Sequence, residues 1–286
     1  MEKKVNAIKA ERLVKRYGKT EALSGVDLEV PGGSVFGLVG PNGAGKTTLI
    51  KALVGALRPT GGAARVLGLD PLRQKSEARR RIGYMPQSPA LYEDLSARDN
   101  IRFFAAAHRT PELRKKVQEI LEFTDLSGRA DDPVHTFSGG MKRRVSLACA
   151  LVHEPEVLFL DEPTAAVDPQ LRGRFWETFR ELARGGTTLF ISTHLMDEAV
   201  LCDRISILRK GRVIASDTPR NILAAGQTRL TVRQSDSLQE KSIGSHPEDL
   251  AGALQAYGLK SDVTAVEVEE DSLETVVLSL IEKEAG

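Results

Sequence analysis

The octapeptide Gly40-Pro41-Asn42-Gly43-Ala44-Gly45-Lys46-Thr47 satisfies G-x-x-x-x-G-K-[ST] at every fixed position, and it constrains the fold more than any other stretch of the chain. The five residues Val35-Phe36-Gly37-Leu38-Val39 before it read as a short buried strand. Residues 48–57 after it read as a helix, with Leu49, Ile50, Leu53 and Leu57 at helical spacing. A strand feeding such a loop, which then opens a helix, implies an α/β core with the loop at the carboxyl end of a strand. Glycines let backbone N–H groups turn inward around phosphate oxygens, and the helix N-terminus adds partial positive charge. Lys46 is then the residue to reach the β- and γ-phosphates of a nucleotide, and the Thr47 hydroxyl the one to hold Mg²⁺, with Thr48 beside it. A glycine-rich turn that carries a lysine by chance has no reason to sit between a buried strand and an amphipathic helix.

The rest of the chain alternates in a way that suits such a core. Residues 8–57 alternate short strand patterns with the phosphate loop. They are followed by a turn at Pro59-Thr60-Gly61-Gly62, a strand near 64–67, a basic helix over 71–81 and a strand over 82–87 that runs into a loop. From Ser96 to about Val152 the pattern is helical. Ser96 and Asp99 make an N-cap pair for residues 100–107, and Thr110-Pro111 opens a second helix with proline in its first position. Strand (157–160), helix (168–183, stopped by Gly185-Gly186) and strand (188–192) then return. Beyond Gln227, residues 234–242 are polar and linker-like. A helix (247–257), an alternating strand (263–269) and a last helix (272–283) form a small α+β tail. The organisation expected is a core of residues 8–227 with a helical insert at about 89–155, and an extension of residues 228–286.

Two further segments carry chemistry. The apolar run Val157-Leu158-Phe159-Leu160 ends in Asp161-Glu162. An acid at a strand's carboxyl end can hold Mg²⁺ opposite the Thr47 hydroxyl, and a second beside it can act as general base on water. Phe137-Ser138-Gly139-Gly140-Met141 precedes a helix over 142–151. Ser138 is a good N-cap, and the two glycines leave backbone N–H groups free to meet an anion. The 41% hydrophobic content of this 286-residue chain is enough for a sizeable core, whereas a net charge of +1 gives no electrostatic case for a nucleic-acid partner. No apolar run approaches the roughly 20 residues of a membrane helix, and residues 1–6 show no signal-peptide pattern. Cys149 and Cys202 read as small packed hydrophobes. His108, His135, His153 and His246 read as solvated or capping residues, and the runs 79–81 and 142–144 as solvated basic helix faces.

Together these residues resemble the ATP-binding cassette (ABC) ATPases over essentially residues 8–225. Residues 137–141 look like the family's signature L-S-G-G-Q, with Phe137 and Met141 replacing the commoner Leu and Gln. Tyr17 matches the aromatic that stacks on adenine, Gln87 the Q-loop glutamine that also reaches the metal, and His194 the switch histidine. Asp168 matches the D-loop aspartate, although Ala166-Val167 before it departs from the usual small-Leu. The resemblance implies a P-loop NTPase core of mostly parallel sheet, an antiparallel β subdomain and a helical signature subdomain.

It also implies ATP and Mg²⁺ as ligands, with Thr47, Gln87 and Asp161 around the metal and Glu162, His194, Lys46 and Gln87 around the reaction. The implied partners are a second nucleotide-binding subunit, identical or paralogous, and integral membrane permease subunits. The chain would then sit peripherally on the cytoplasmic face of the cell membrane. Residues 91–100 and 271–280 resemble daunorubicin-resistance-type exporter ATPases, which favours export. A single-cassette ATPase that regulates an envelope complex, or an importer ATPase, are the alternatives.

Overall fold

The computed structural model describes residues 6–165, 167–234, 237–257 and 263–283. Strands β1 (Asn6–Tyr17) and β2 (Thr20–Pro31) form a long hairpin, and β3 (Val35–Val39) leads into α1 (Lys46–Leu53). Then come β4 (Gly61–Val66), α2 (Lys75–Arg81), β5 (Ile82–Met85), α3 (Ala97–Ala107), α4 (Leu113–Phe123) and α5 (Gly139–Leu151). The chain continues through β6 (Val157–Asp161), α6 (Pro169–Arg184), β7 (Thr188–Thr193), α7 (Met196–Ala199), β8 (Arg204–Arg209), β9 (Arg212–Asp217) and α8 (Pro219–Leu223). The last elements are β10 (Gln227–Gln234), β11 (Ser237–Gly244), α9 (Pro247–Tyr257), β12 (Val263–Glu270) and α10 (Leu273–Lys283).

The central sheet has six strands in the order β5-β6-β7-β3-β8-β9, parallel except for the edge strand β9. Strands β3, β6 and β7 are buried along their whole length, which is why they read as continuous apolar runs rather than alternating ones. The period of two still decides which side each residue serves. Phe36, Leu38, Val157, Phe159 and Phe190 pack with α1 and the antiparallel sheet β2-β1-β4. Val35, Val39, Leu158, Leu160, Leu189 and Ile191 pack against the helices of the other face. In β2, Val26, Leu28 and Val30 face that first core while Asp27 and Glu29 face outward.

The helical block from α3 to α5 has its own core, built around Ile101, Leu121, Val134 and Val145. α5 belongs to two cores at once: Val145, Ala148 and Cys149 face the helical block, while Leu147, Ala150 and Leu151 face the sheet. The helix behind the glycine pair is thus the mechanical link between the two. The α/β class, the antiparallel sheet and the helical block expected from the sequence are all present.

Several local expectations are corrected. Pro111 does not occupy the first turn of α4, because the cap is Glu112 in a left-handed conformation (φ 49°) and the helix starts at Leu113. Gly61 and Gly62 lie inside β4 rather than in a turn, and the basic helix begins at Lys75. Part of the linker-like stretch, Ser237–Gly244, is β11 of a second antiparallel sheet, β11-β10-β12. Residues 235 and 236 of that stretch lie outside the described residues, as does Ala166. The α+β tail also packs onto the main core. Leu273, Val276 and Val277 of α10 are buried in the core that includes Phe175, Trp176 and Ile222, and Arg209 donates to the Ile281 carbonyl.

Candidate functional site

Four neighbouring parallel strands end side by side, so four loops distant in sequence meet at one rim. β3 delivers residues 40–45, β5 delivers Gln87, β6 delivers Asp161 and Glu162, and β7 delivers His194. A cavity of about 270 Å³ opens there, lined by Ala22, Pro41, Asn42, Gly43, Gly45, Lys46, Thr47, Thr48, Gln87 and Glu162.

The loop's shape requires its glycines. A Cβ on Gly40 would stand 2.3 Å from the Leu208 carbonyl oxygen. Gly45 has φ +109°, and a Cβ there would meet the Ala22 oxygen at 2.6 Å. Gly45 is the N-cap of α1, and no side chain caps that helix, so its first N–H groups point to the cavity end as an anion site does. Lys46 is 5% exposed, and its ammonium donates to the Gly40 carbonyl at 2.7 Å and the Pro41 carbonyl at 3.2 Å. Glu162 Oε1 lies 3.3 Å from the same Nζ.

Glu162 is the hub of the site. It is 7% exposed, holds a left-handed backbone (φ 51°), and donates its N–H to both the Ser192 carbonyl and the Ser192 hydroxyl at 3.1 Å. A non-glycine residue stays in that region only where its surroundings over-determine it. Gln87 Nε2 donates to Glu162 Oε2 at 3.1 Å, and His194 Nδ1 lies 3.5 Å from the same oxygen. The carboxylate therefore faces an ammonium, an amide and an imidazole at once, an arrangement suited to holding a water against a phosphoryl group. Asp161 is fully buried. Its Oδ1 accepts from the Ser192 hydroxyl at 2.6 Å, while its Oδ2 is buried with no hydrogen-bond partner among the described residues.

The expected residues of three segments, Tyr17, residues 137–141 and Asp168, do not line this cavity. Tyr17 ends β1, is 50% exposed, and has the Lys15 ammonium 4.9 Å above its ring. Ser138 caps α5 by accepting from the Met141 N–H at 3.3 Å, and it is exposed together with Gly139; Gly140 follows, half-buried. Phe137 is buried under the Arg129 guanidinium, 5.0 Å from its ring centre, and Arg129 also reaches the Met141 sulfur. Asp168 is exposed and caps α6, accepting from the Leu171 N–H at 3.0 Å.

Sequence reasoning missed several groups. Ser192 ties Asp161 to Glu162, and its only signal is its place at the end of an apolar strand before His194. Arg143 was expected on a solvated face. It is half-buried instead and donates to the Glu162 carbonyl at 2.7 Å, while Arg144 holds Asp125 and Lys142 pairs with Glu93. His108, the C-cap of α3, and His153 are half-buried. Their rings stack 3.7 Å apart beside a second, largely apolar cavity of about 440 Å³ between the core and the helical block, which Tyr84, Leu91 and Phe104 also line. His153 Nε2–H donates to the Ile82 carbonyl at 3.1 Å, and burial pushes its pKa down to about 4.

Comparison with known proteins agrees with this geometry. The ABC transporter family model matches residues 23–165. The daunorubicin resistance ATP-binding protein DrrA2 of Streptomyces coeruleorubidus is 43% identical over 234 residues, covering 80% of this chain and 73% of its own length. A solved ATP-binding subunit of an ABC transporter superposes with a TM-score of 0.74 at 27% identity, over 96% of this chain and 99% of that one. A dimeric structure of an ATP-binding cassette in a post-hydrolysis state, bound to ADP and Pi, gives 0.68 at 26% identity, over 74% and 98%. With the phosphate loop after β3 and two carboxylates at the end of β6, one strand away across β7, the chain belongs to the ABC transporter family, as one of its ATP-binding subunits.

Proposed function

We propose that the chain hydrolyses ATP to drive export of a drug-like or lipid-like compound through separately encoded membrane subunits, and that each ATP is enclosed between two cassettes. The observation that carries the reading is the position of Ser138. It caps α5 with its neighbouring glycine exposed, away from the cavity of its own chain, so its anion-facing group is free to close the site of another cassette. The second cassette is a copy of this chain or a paralogue, which Tyr17 and Asp168, both exposed, suit equally well.

Within the site, Glu162 takes the proton of the attacking water, and Lys46 and His194 offset the charge gathering on the transferred phosphoryl group. The residues present fit Mg²⁺. Asp161, next to Glu162 in the chain, offers a buried oxygen with no partner among the described residues, and Thr47 and Gln87 line the cavity that Glu162 also lines. Held by those three, the ion would neutralise phosphate charge.

Support for export is the name of the daunorubicin resistance relative, together with the resemblance of residues 91–100 and 271–280 to that class. Among the described residues no helix is long and apolar enough to cross a membrane, which suits a subunit whose membrane contact runs through a permease. Leu91, the first residue of the 91–100 segment, borders the apolar cavity beside His108, a natural place for that contact.

Light scattering on the Glu162→Gln chain with ATP and Mg²⁺ tests the pairing. Mass should double with nucleotide and return to that of one chain in the additional variant Ser138→Arg. A mass indifferent to ATP, with the natural partner supplied, refutes it. Export is tested by co-purification with a membrane subunit and by ATPase stimulation with candidate cargo.

A further inference from the structure

Behind the rim lies a carboxylate that the reading above does not use. Glu198, on α7, is 2% exposed, and its two oxygens are engaged by two hydroxyls, one from the turn after β6 and one from the end of β7. The Thr164 hydroxyl donates to Oε1, and the Thr193 hydroxyl donates to Oε2 at 2.7 Å. Thr164 follows Glu162 by two residues and is 3% exposed. Thr193 directly precedes His194 and is 2% exposed. Thr193 Oγ1 also accepts the Leu195 N–H at 3.0 Å, so the backbone on both sides of His194 is fixed to this one carboxylate.

We propose that Glu198 is a positioning residue that clasps the loop bearing Glu162 to the loop bearing His194. The inference rests on the reading of those two residues as the reacting pair. His194 is 41% exposed, and its contact with Glu162 is 3.5 Å, so the imidazole is held little by its own surroundings. Its place over the site is set by the loop, and the loop by Thr193 and Glu198. On the other side, Glu162 keeps a left-handed backbone, and the turn after it closes through the Ala165 N–H on the Glu162 carbonyl and the Val167 N–H on the Thr164 carbonyl. Anchoring Thr164 stops that turn from relaxing.

The arrangement suits a carboxylate, because its two oxygens accept from both donating hydroxyls at once. α7 is only four residues long, so a clasp on its inner side also sets where the short helix lies.

Isosteric removal of one arm tests this. Thr164→Val should lower turnover at saturating ATP and Mg²⁺ by about 10- to 100-fold, the order of loss expected from misplacing a reacting group by a fraction of an ångström to an ångström. ATP affinity should stay within about two-fold, since the phosphate loop is untouched. Thr164→Ser should recover turnover, because the hydroxyl returns. Thr193→Val cuts the other arm and should show the same split.

Wild-type turnover in both valine variants overturns the proposal. So does a parallel fall of turnover, affinity and melting temperature that serine does not repair, which marks a packing role only. Failure of the underlying reading looks different, because Glu162→Gln would then turn over like the parent whatever Thr164 does.

Discussion

Glu162→Gln separates binding from chemistry more cleanly than any other single change. In the wild-type chain the Lys46 ammonium and the Glu162 carboxylate stand 3.3 Å apart, both nearly buried. At an effective dielectric of about 20 their gross attraction is about 5 kcal/mol, most of it offset by the desolvation of both groups. Phosphates entering the loop must draw Lys46 from this carboxylate and lie near its negative charge. Glutamine removes both penalties. Lys46 keeps the Gly40 and Pro41 carbonyls, and the amide oxygen can still meet Gln87 and His194.

ATP affinity should therefore hold or rise. Turnover should fall about 10²- to 10⁴-fold, the usual contribution of a general base, equivalent to about 3–5 kcal/mol of transition-state stabilisation. Phosphate release at saturating ATP, alongside calorimetric ATP binding, reads both quantities. Turnover within ten-fold of the parent, or loss of ATP binding, would refute the assignment of Glu162 and the account of its pairing with Lys46.

Two stability predictions follow from burial elsewhere. Burial lowers the His153 pKa from 6.5 to about 4, so between those values the unfolded chain binds more protons than the folded one. Stability should thus fall as pH drops from 6.5 towards 4, by up to about 3 kcal/mol from this residue, and urea melts at pH 7 and pH 5 should show a shallower pH dependence for His153→Phe. Leu273→Ala should cost about 2–5 kcal/mol, because Leu273 is 4% exposed in the main core, whereas Leu278→Ala, at 52% exposure on the same helix, should change stability by less than about 0.5 kcal/mol. Equal melts for the two would show that α10 does not brace the core.

What could be read from the residues alone was whatever is written locally. Residues 40–47 name a phosphate loop because its geometry is set by glycines and one lysine within eight positions. The runs before Gly40, Asp161 and His194 announce buried parallel strands because such strands are apolar on both faces. Ser96 and Ser138 announce helix starts because a cap acts three residues ahead. Pro111 misled, since its preference for a first turn gave way to a left-handed Glu112. His153 misled in another way, because nothing near it in sequence foretells the His108 ring stacked on it.

The sequence by itself determined the class of fold and the kind of ligand, because both rest on short-range chemistry. Only the tertiary structure decided that the Lys46 and Gln87 side chains converge on the Glu162 carboxylate with His194 beside it, that Arg143 reaches across to the Glu162 carbonyl, and that α10 is part of the main core. Those facts depend on strand order and on which faces are buried against one another, and pairings between residues 19 or more positions apart leave no mark in the local pattern of either partner.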